Sequence, residues 1–170
     1  MPYPTTWNFE LDDRATHMSL IAAVEPSELM FATPDRVDQV VASFDRTMAT
    51  PTDVVALLDL AHKLLRTCVV HYEFAALAVE KSLQALELAI RIRLGADRKR
   101  SFGKLIDTLQ KSGVVSAGDA ELLHAGRQLR NSFAHPMTAA ALPLVMTTDL
   151  LRTSHRLIAS LFPDGGAPTR

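Results

Sequence analysis

Between Ser116 and Pro136 the chain gathers side chains that can carry protons and hold anions. His124, Arg127, Gln128, Asn131 and His135 recur at i, i+3, i+4, i+7 and i+11, which on a helix makes one polar stripe. Leu122, Gly126, Leu129 and Phe133 fall on a second stripe, expected to face the core. A polar stripe by itself marks a solvated face, but the end of this segment argues for more. It reads Arg130-Asn131-Ser132-Phe133-Ala134-His135-Pro136, and the residue before a proline is pushed out of the α region. His135 is therefore expected just past the helical end, among unpaired carbonyls at the negative pole of the helix dipole, where the protonated imidazole is favoured. An imidazole so placed exchanges a proton near neutral pH. Arg130 lies roughly 140° away around a regular helix. The two side chains converge only if the helix terminates between them or a second copy of the chain supplies the partner.

The elements that must position these residues read as helices throughout. Residues 1–32 hold Pro2, Pro4 and Pro26 and no sustained period, which suggests a loosely packed arm with one short helix near Ala15–Val24. Thr33-Pro34 is an N-cap followed by proline at the first helical position. Behind it Val37, Val40, Val41 and Phe44 form one stripe, predicting a helix over 34–47. Thr52-Asp53 starts the next, with a break expected near Thr67–Val70 before the strongest helix, Tyr72–Leu94, stopped by Gly95. Ser101 caps a helix over 102–111. Ser116 with Asp119 resembles a capping box, and a last helix runs from Pro143 to Phe162. The expectation is an all-α bundle of five to six helices: an N-terminal arm over 1–50, a helical domain over 51–162 and a flexible tail over 163–170.

Composition narrows the function classes. The 170 residues are 48% hydrophobic and 22% charged, the range of one ordinary globular domain. A single cysteine, Cys68, excludes an intrachain disulfide and a cysteine-based zinc cluster; it reads as a small buried apolar group. No acid-plus-histidine cluster at ligand spacing appears, so no metal and no cofactor is expected. Glu10, Asp12 and Asp13 interrupt the stretch after Trp7 and Phe9, against a secretion signal. The longest uncharged run, Asn131 to Thr148, contains His135, Pro136 and Pro143 and makes a poor membrane span. A cytoplasmic protein is expected. Net charge is −1, unevenly spread: eight acids against three bases in 1–50, fifteen bases against eleven acids beyond. A basic body behind an acidic leader permits nucleic-acid binding without demanding it.

Arg130-x4-His135, with Asn131 directly after the arginine, resembles the signature of HEPN domains (higher eukaryotes and prokaryotes nucleotide-binding). The upstream run from Phe74 to Glu87 is similar to that family's long helix before the motif helix, and the resemblance covers roughly 52–162. It implies a HEPN-like helical bundle and a metal-independent RNA endonuclease, acting as a toxin or antiviral-defence component. It also implies a homodimer with the two motifs facing each other, and a possible antitoxin partner. On this chain His135 would be the general acid or base for attack of a ribose 2′-hydroxyl on the adjacent phosphate. Arg130 would stabilise the phosphorane-like transition state, and Asn131 would orient the phosphate or the histidine. The alternative is a non-catalytic HEPN module that binds a nucleotide or a partner protein; a third is an unrelated helical interaction protein.

Other charged residues are weighed against this reading. Arg127 and His124 are candidate RNA-phosphate contacts. The basic stretch Arg91, Arg93, Arg98, Lys99, Arg100 and Lys104 could guide an RNA backbone, or simply complement a helix C-terminus. A second Arg-x4-His spacing, Arg66 to His71, lacks the asparagine and spans the expected break. His17, His62 and His155 read as surface or interface residues, and Trp7 and Phe9 as an anchor for the arm.

Overall fold

The computed structural model describes residues 10–21, 30–97, 99–133 and 142–165, with backbone alone at 130–133. Trp7, Phe9, Arg98 and His135 lie outside the described residues. Within them the chain is all-α, with seven helices: α1 (Asp13–Thr16), α2 (Pro34–Ala42), α3 (Thr52–Thr67), α4 (Phe74–Leu94), α5 (Phe102–Lys111), α6 (Ala117–Phe133) and α7 (Leu144–Leu161). The count exceeds the expected five or six because the leader contributes both the single turn α1 and α2. No helix among the described residues is long and apolar enough to cross a membrane.

Helix α4 is the centre. Its buried residues Ala75, Ala78, Val79, Ser82, Leu83, Ala85, Leu86, Ala89 and Ile90 cover most of its circumference, so other helices must surround it. Helices α3, α5, α6 and α7 all pack on it. The N-terminal half joins Leu65, Val69, Tyr72 and Leu151 in one apolar cluster. The C-terminal half joins Leu105, Ile106, Leu109, Leu123 and Ile158 in another. Gly95, at φ 56°, closes α4 in the left-handed conformation that a side chain resists.

The described part of the leader is bound firmly rather than loosely. Ala15, Leu20 and Ala32 are buried in the first cluster, and Leu20 N–H donates to the Met30 carbonyl at 2.8 Å. Asp12 caps α1 and also accepts from the Tyr72 amide at 3.0 Å. The Arg14 guanidinium beside it, with that amide, holds its carboxyl well below the usual carboxylate range. The Tyr72 hydroxyl donates to the Leu142 carbonyl and lies 3.2 Å from Met18 Sδ. One phenol thus ties the leader to the approach of α7.

Helix α2 ends at Ala42, short of the expected 47. Ser43 Oγ donates back to the Val40 carbonyl at 2.6 Å, and Phe44 turns inward against two imidazoles. One of these is His155, 1% exposed, which overturns its reading as a surface residue. Its partner His62 sits one side chain away on α3. Cys68 is fully buried as expected, and burial pushes its thiol up to about 12. The second Arg-x4-His spacing is structural: Arg66 pairs with Asp38 at 3.2 Å and His71 stands edge-on to Phe74.

Leu86→Ala removes a large side chain that is 2% exposed on the central helix. It is expected to cost about 2–5 kcal/mol in chemical denaturation. Tyr72→Phe deletes only the hydroxyl and should cost about 1 kcal/mol in the same measurement.

Candidate functional site

Helix α6 carries Arg130 and Asn131, and contacts at its N-terminus and to α4, α5 and α7 set its position. Ser116 caps it: the Asp119 amide donates to Ser116 Oγ at 3.1 Å, while that hydroxyl donates to the Asp119 carboxylate at 2.9 Å. The expected reciprocal box therefore takes a variant form, because the carboxylate is shared between the cap hydroxyl and Arg156 of α7, at 2.6 Å. The Arg156 bond, followed by the Ser116 one, lowers the Asp119 pKa against the effect of partial burial.

The buried stripe is Ala120, Leu123 and Gly126. Leu122, expected inside, is 50% exposed. Leu123 takes the inside place expected of Leu122, while Leu129 is partly buried against the first apolar cluster and Gly126 is buried as expected. A Cβ there would stand 2.9 Å from Leu83 Cδ2 on α4, so the missing side chain lets α6 approach the central helix closely.

Two members of the polar stripe face α5, while Gln128 is exposed. His124 Nε2 lies 3.2 Å from the Asp107 carboxylate of α5. Arg127 is half-buried across Gly103, where a Cβ would meet Nε at 3.7 Å. Arg127 Nε is itself buried and has no hydrogen-bond partner. A buried donor left unmade costs about 1–3 kcal/mol, and such groups call for an explanation beyond packing. Among the described residues Arg127 Nε thus has no internal acceptor.

Arg130 and Asn131 lie in the final turn of α6, one turn beyond Arg127. His135 and Pro136 lie outside the described residues. Chain order puts the candidates along one helix end: His124, Arg127, then Arg130 and Asn131.

Compared with family models, curated proteins and solved structures, the chain matches none of them. The functional reading therefore rests on this chain's own residues. Among the described residues no group of three or more His, Cys, Asp or Glu side chains could hold a metal.

The basic stretch after α4 divides into separate roles. Arg91 is engaged by Glu87, at 3.1 and 2.5 Å, and by the Asp97 carbonyl at 3.1 Å. It secures the helix end instead of facing a ligand. Lys99 and Lys104 lend their amides to Asp97 and the Ser101 cap. What sequence reading missed is on α3 and α7: His62 and His155, 93 positions apart, meet at 2.8 Å. No local spacing signals a pair so distant.

Gly126→Val should wedge α6 off α4, costing about 1–3 kcal/mol. Unfolding midpoints against Gly126→Ala, whose single methyl faces only the mobile end of Leu83, check the steric cause.

Proposed function

We propose that this protein is a metal-independent RNA endonuclease of the HEPN type, working as a homodimer in the cytoplasm as a toxin or antiviral-defence component. The observation that carries the reading is the run Arg130-Asn131-x3-His135-Pro136 at the end of α6, with Arg130 and Asn131 in its last turn. In this scheme His135 takes the proton of a ribose 2′-hydroxyl as its oxygen bonds to the adjacent phosphorus. The bond from phosphorus to the 5′-oxygen breaks, and that oxygen receives a proton from an imidazolium. One histidine cannot be base and acid in the same step, so the second His135 of a dimer supplies the other half. Arg130 offers a planar fork of donors to the extra charge on the phosphorane-like transition state. Asn131 orients the phosphate by amide hydrogen bonds.

Arg127 fits the role of a phosphate contact outside the reacting centre. It is a guanidinium one turn from Arg130, with Nε unpartnered among the described residues. His124 is less available, being engaged with Asp107. The competing reading, a non-catalytic module that binds a partner protein, draws support from an apolar groove of about 450 Å³ between α6 and α7. Leu122, Leu129, Met146 and Leu150 line it.

His135→Ala is expected to lower EDTA-resistant RNA cleavage by about 10²–10⁴-fold without changing the fold. Arg130→Ala should lower it by about 10²–10³-fold. Wild-type dimer that leaves RNA uncut would select the partner-binding module instead, and full activity in a constitutive monomer would defeat the paired-histidine scheme. Arg127→Ala should raise KM with kcat nearly unchanged, and should reduce the slope of log affinity against log salt by about 1.

A further inference from the structure

The connection between α2 and α3, residues 43–51, is a strap that forms one wall of a half-open pocket of about 430 Å³. Val55, Leu58 and Ile158 form part of its apolar wall, and Asp45, Arg46 and Asp59 are among its polar lining. Two imidazoles hold the strap down. Arg46 Nη2 lies 2.8 Å from His62 Nδ1, His62 Nε2 lies 2.8 Å from His155 Nε2, and His155 Nδ1 lies 3.1 Å from the Asp45 carbonyl. The rings are nearly parallel, 12° apart, with Phe44 against both.

The ends of this chain of contacts dictate its protons. A guanidinium only donates and a carbonyl only accepts. His62 Nδ1 must therefore accept from Arg46, His62 Nε2–H must donate to His155 Nε2, and His155 Nδ1–H must donate to Asp45. Three hydrogen bonds use two ring protons, so both imidazoles are neutral and each has one permitted tautomer.

A third proton has no place. On His62 it occupies Nδ1 and faces the Arg46 cation. On His155 it occupies Nε2 and faces the N–H of His62; relieving that clash moves the His62 proton to Nδ1, again against Arg46. Either route ends on the strap. We propose that protonation of the His62–His155 pair releases the 43–51 strap and widens the pocket it walls, making the pair an acid-released latch.

The surrounding charges act in both directions. Asp45 on the strap and Asp59 on α3 favour a proton on His155, whereas Arg46 disfavours one on either ring. Arg152 of α7 stacks over Phe44, and Arg66 on α3 is occupied by Asp38 of α2. Burial is the largest influence on both rings and pushes them below the ordinary imidazole range, to about 3 for His62. The unfolded chain, with ordinary imidazoles, binds more protons than the folded one. The latch therefore holds fully at neutral pH and weakens as pH falls below the ordinary imidazole range. Two further anchors hold the strap: the Asp59 carboxylate of α3, 3.5 Å from Arg46 Nη2, and, apart from the rings, the Asp164 carboxylate on the Met48 and Ala49 amides at 2.7 and 3.2 Å.

Hydrogen exchange of the full chain, corrected for intrinsic rates and followed from about pH 7.5 to about 3.5, tests this. The strap amides should lose protection about tenfold or more while the middle of α4 keeps its own. His62→Gln, which takes no proton, should flatten that dependence, and Asp164→Asn should keep it. A flat wild-type profile, simultaneous loss in α4, a wild-type profile in His62→Gln or its disappearance in Asp164→Asn would each overturn the latch. Nitrogen-15 spectra of the wild type give an independent check at neutral pH: Nε2–H on His62 and Nδ1–H on His155, both rings uncharged. Opposite tautomers or a charged ring would refute it.

Discussion

A helix that is apolar around most of its circumference must be walled in, and α4 imposes that condition on the whole chain. Leu86 and Ile90 each gain about 1.5–3 kcal/mol from full burial, while the alanines between them let neighbouring helices come close. The two apolar clusters meet on this one helix, so the leader and the motif-bearing half share a scaffold. Helix α6 depends on the same wall. It reaches α4 through Gly126, while Arg127 and His124 meet α5.

Polar groups in this fold follow two regimes. Exposed pairs such as Arg152–Asp149 are worth at most about 1 kcal/mol each and orient little. Buried ones position elements: the Tyr72 hydroxyl on the Leu142 carbonyl, and the imidazole pair beneath the strap. Arg127 belongs to neither regime, because its Nε is buried yet unmade. A cost retained at the edge of the motif turn is what a ligand-facing guanidinium would carry.

Helix positions were legible in the sequence because their signals are local. Thr33-Pro34, Ser101 and Gly95 each mark a boundary through the backbone of their own turn, and the break after Thr67 follows from the residues spanning it. Misreadings arose where a neighbour overrides local preference. The α2 stripe continues to Phe44, but the helix stops because that ring packs on imidazoles from two other helices. The α6 stripe named Leu122, but Leu123 is the residue packed inside, in the cluster with Leu105 and Ile158.

The chain's order alone determined the all-helical class and the candidate residues Arg130, Asn131 and His135, since periodicity, caps and motif spacing are properties of adjacent residues. Only the tertiary structure decided that Arg127 Nε is buried without a partner among the described residues and that His124 meets Asp107. It alone joined His62 to His155. Contacts between side chains tens of positions apart depend on helix rotation and separation, and those are set by how side chains from several helices fill one shared volume.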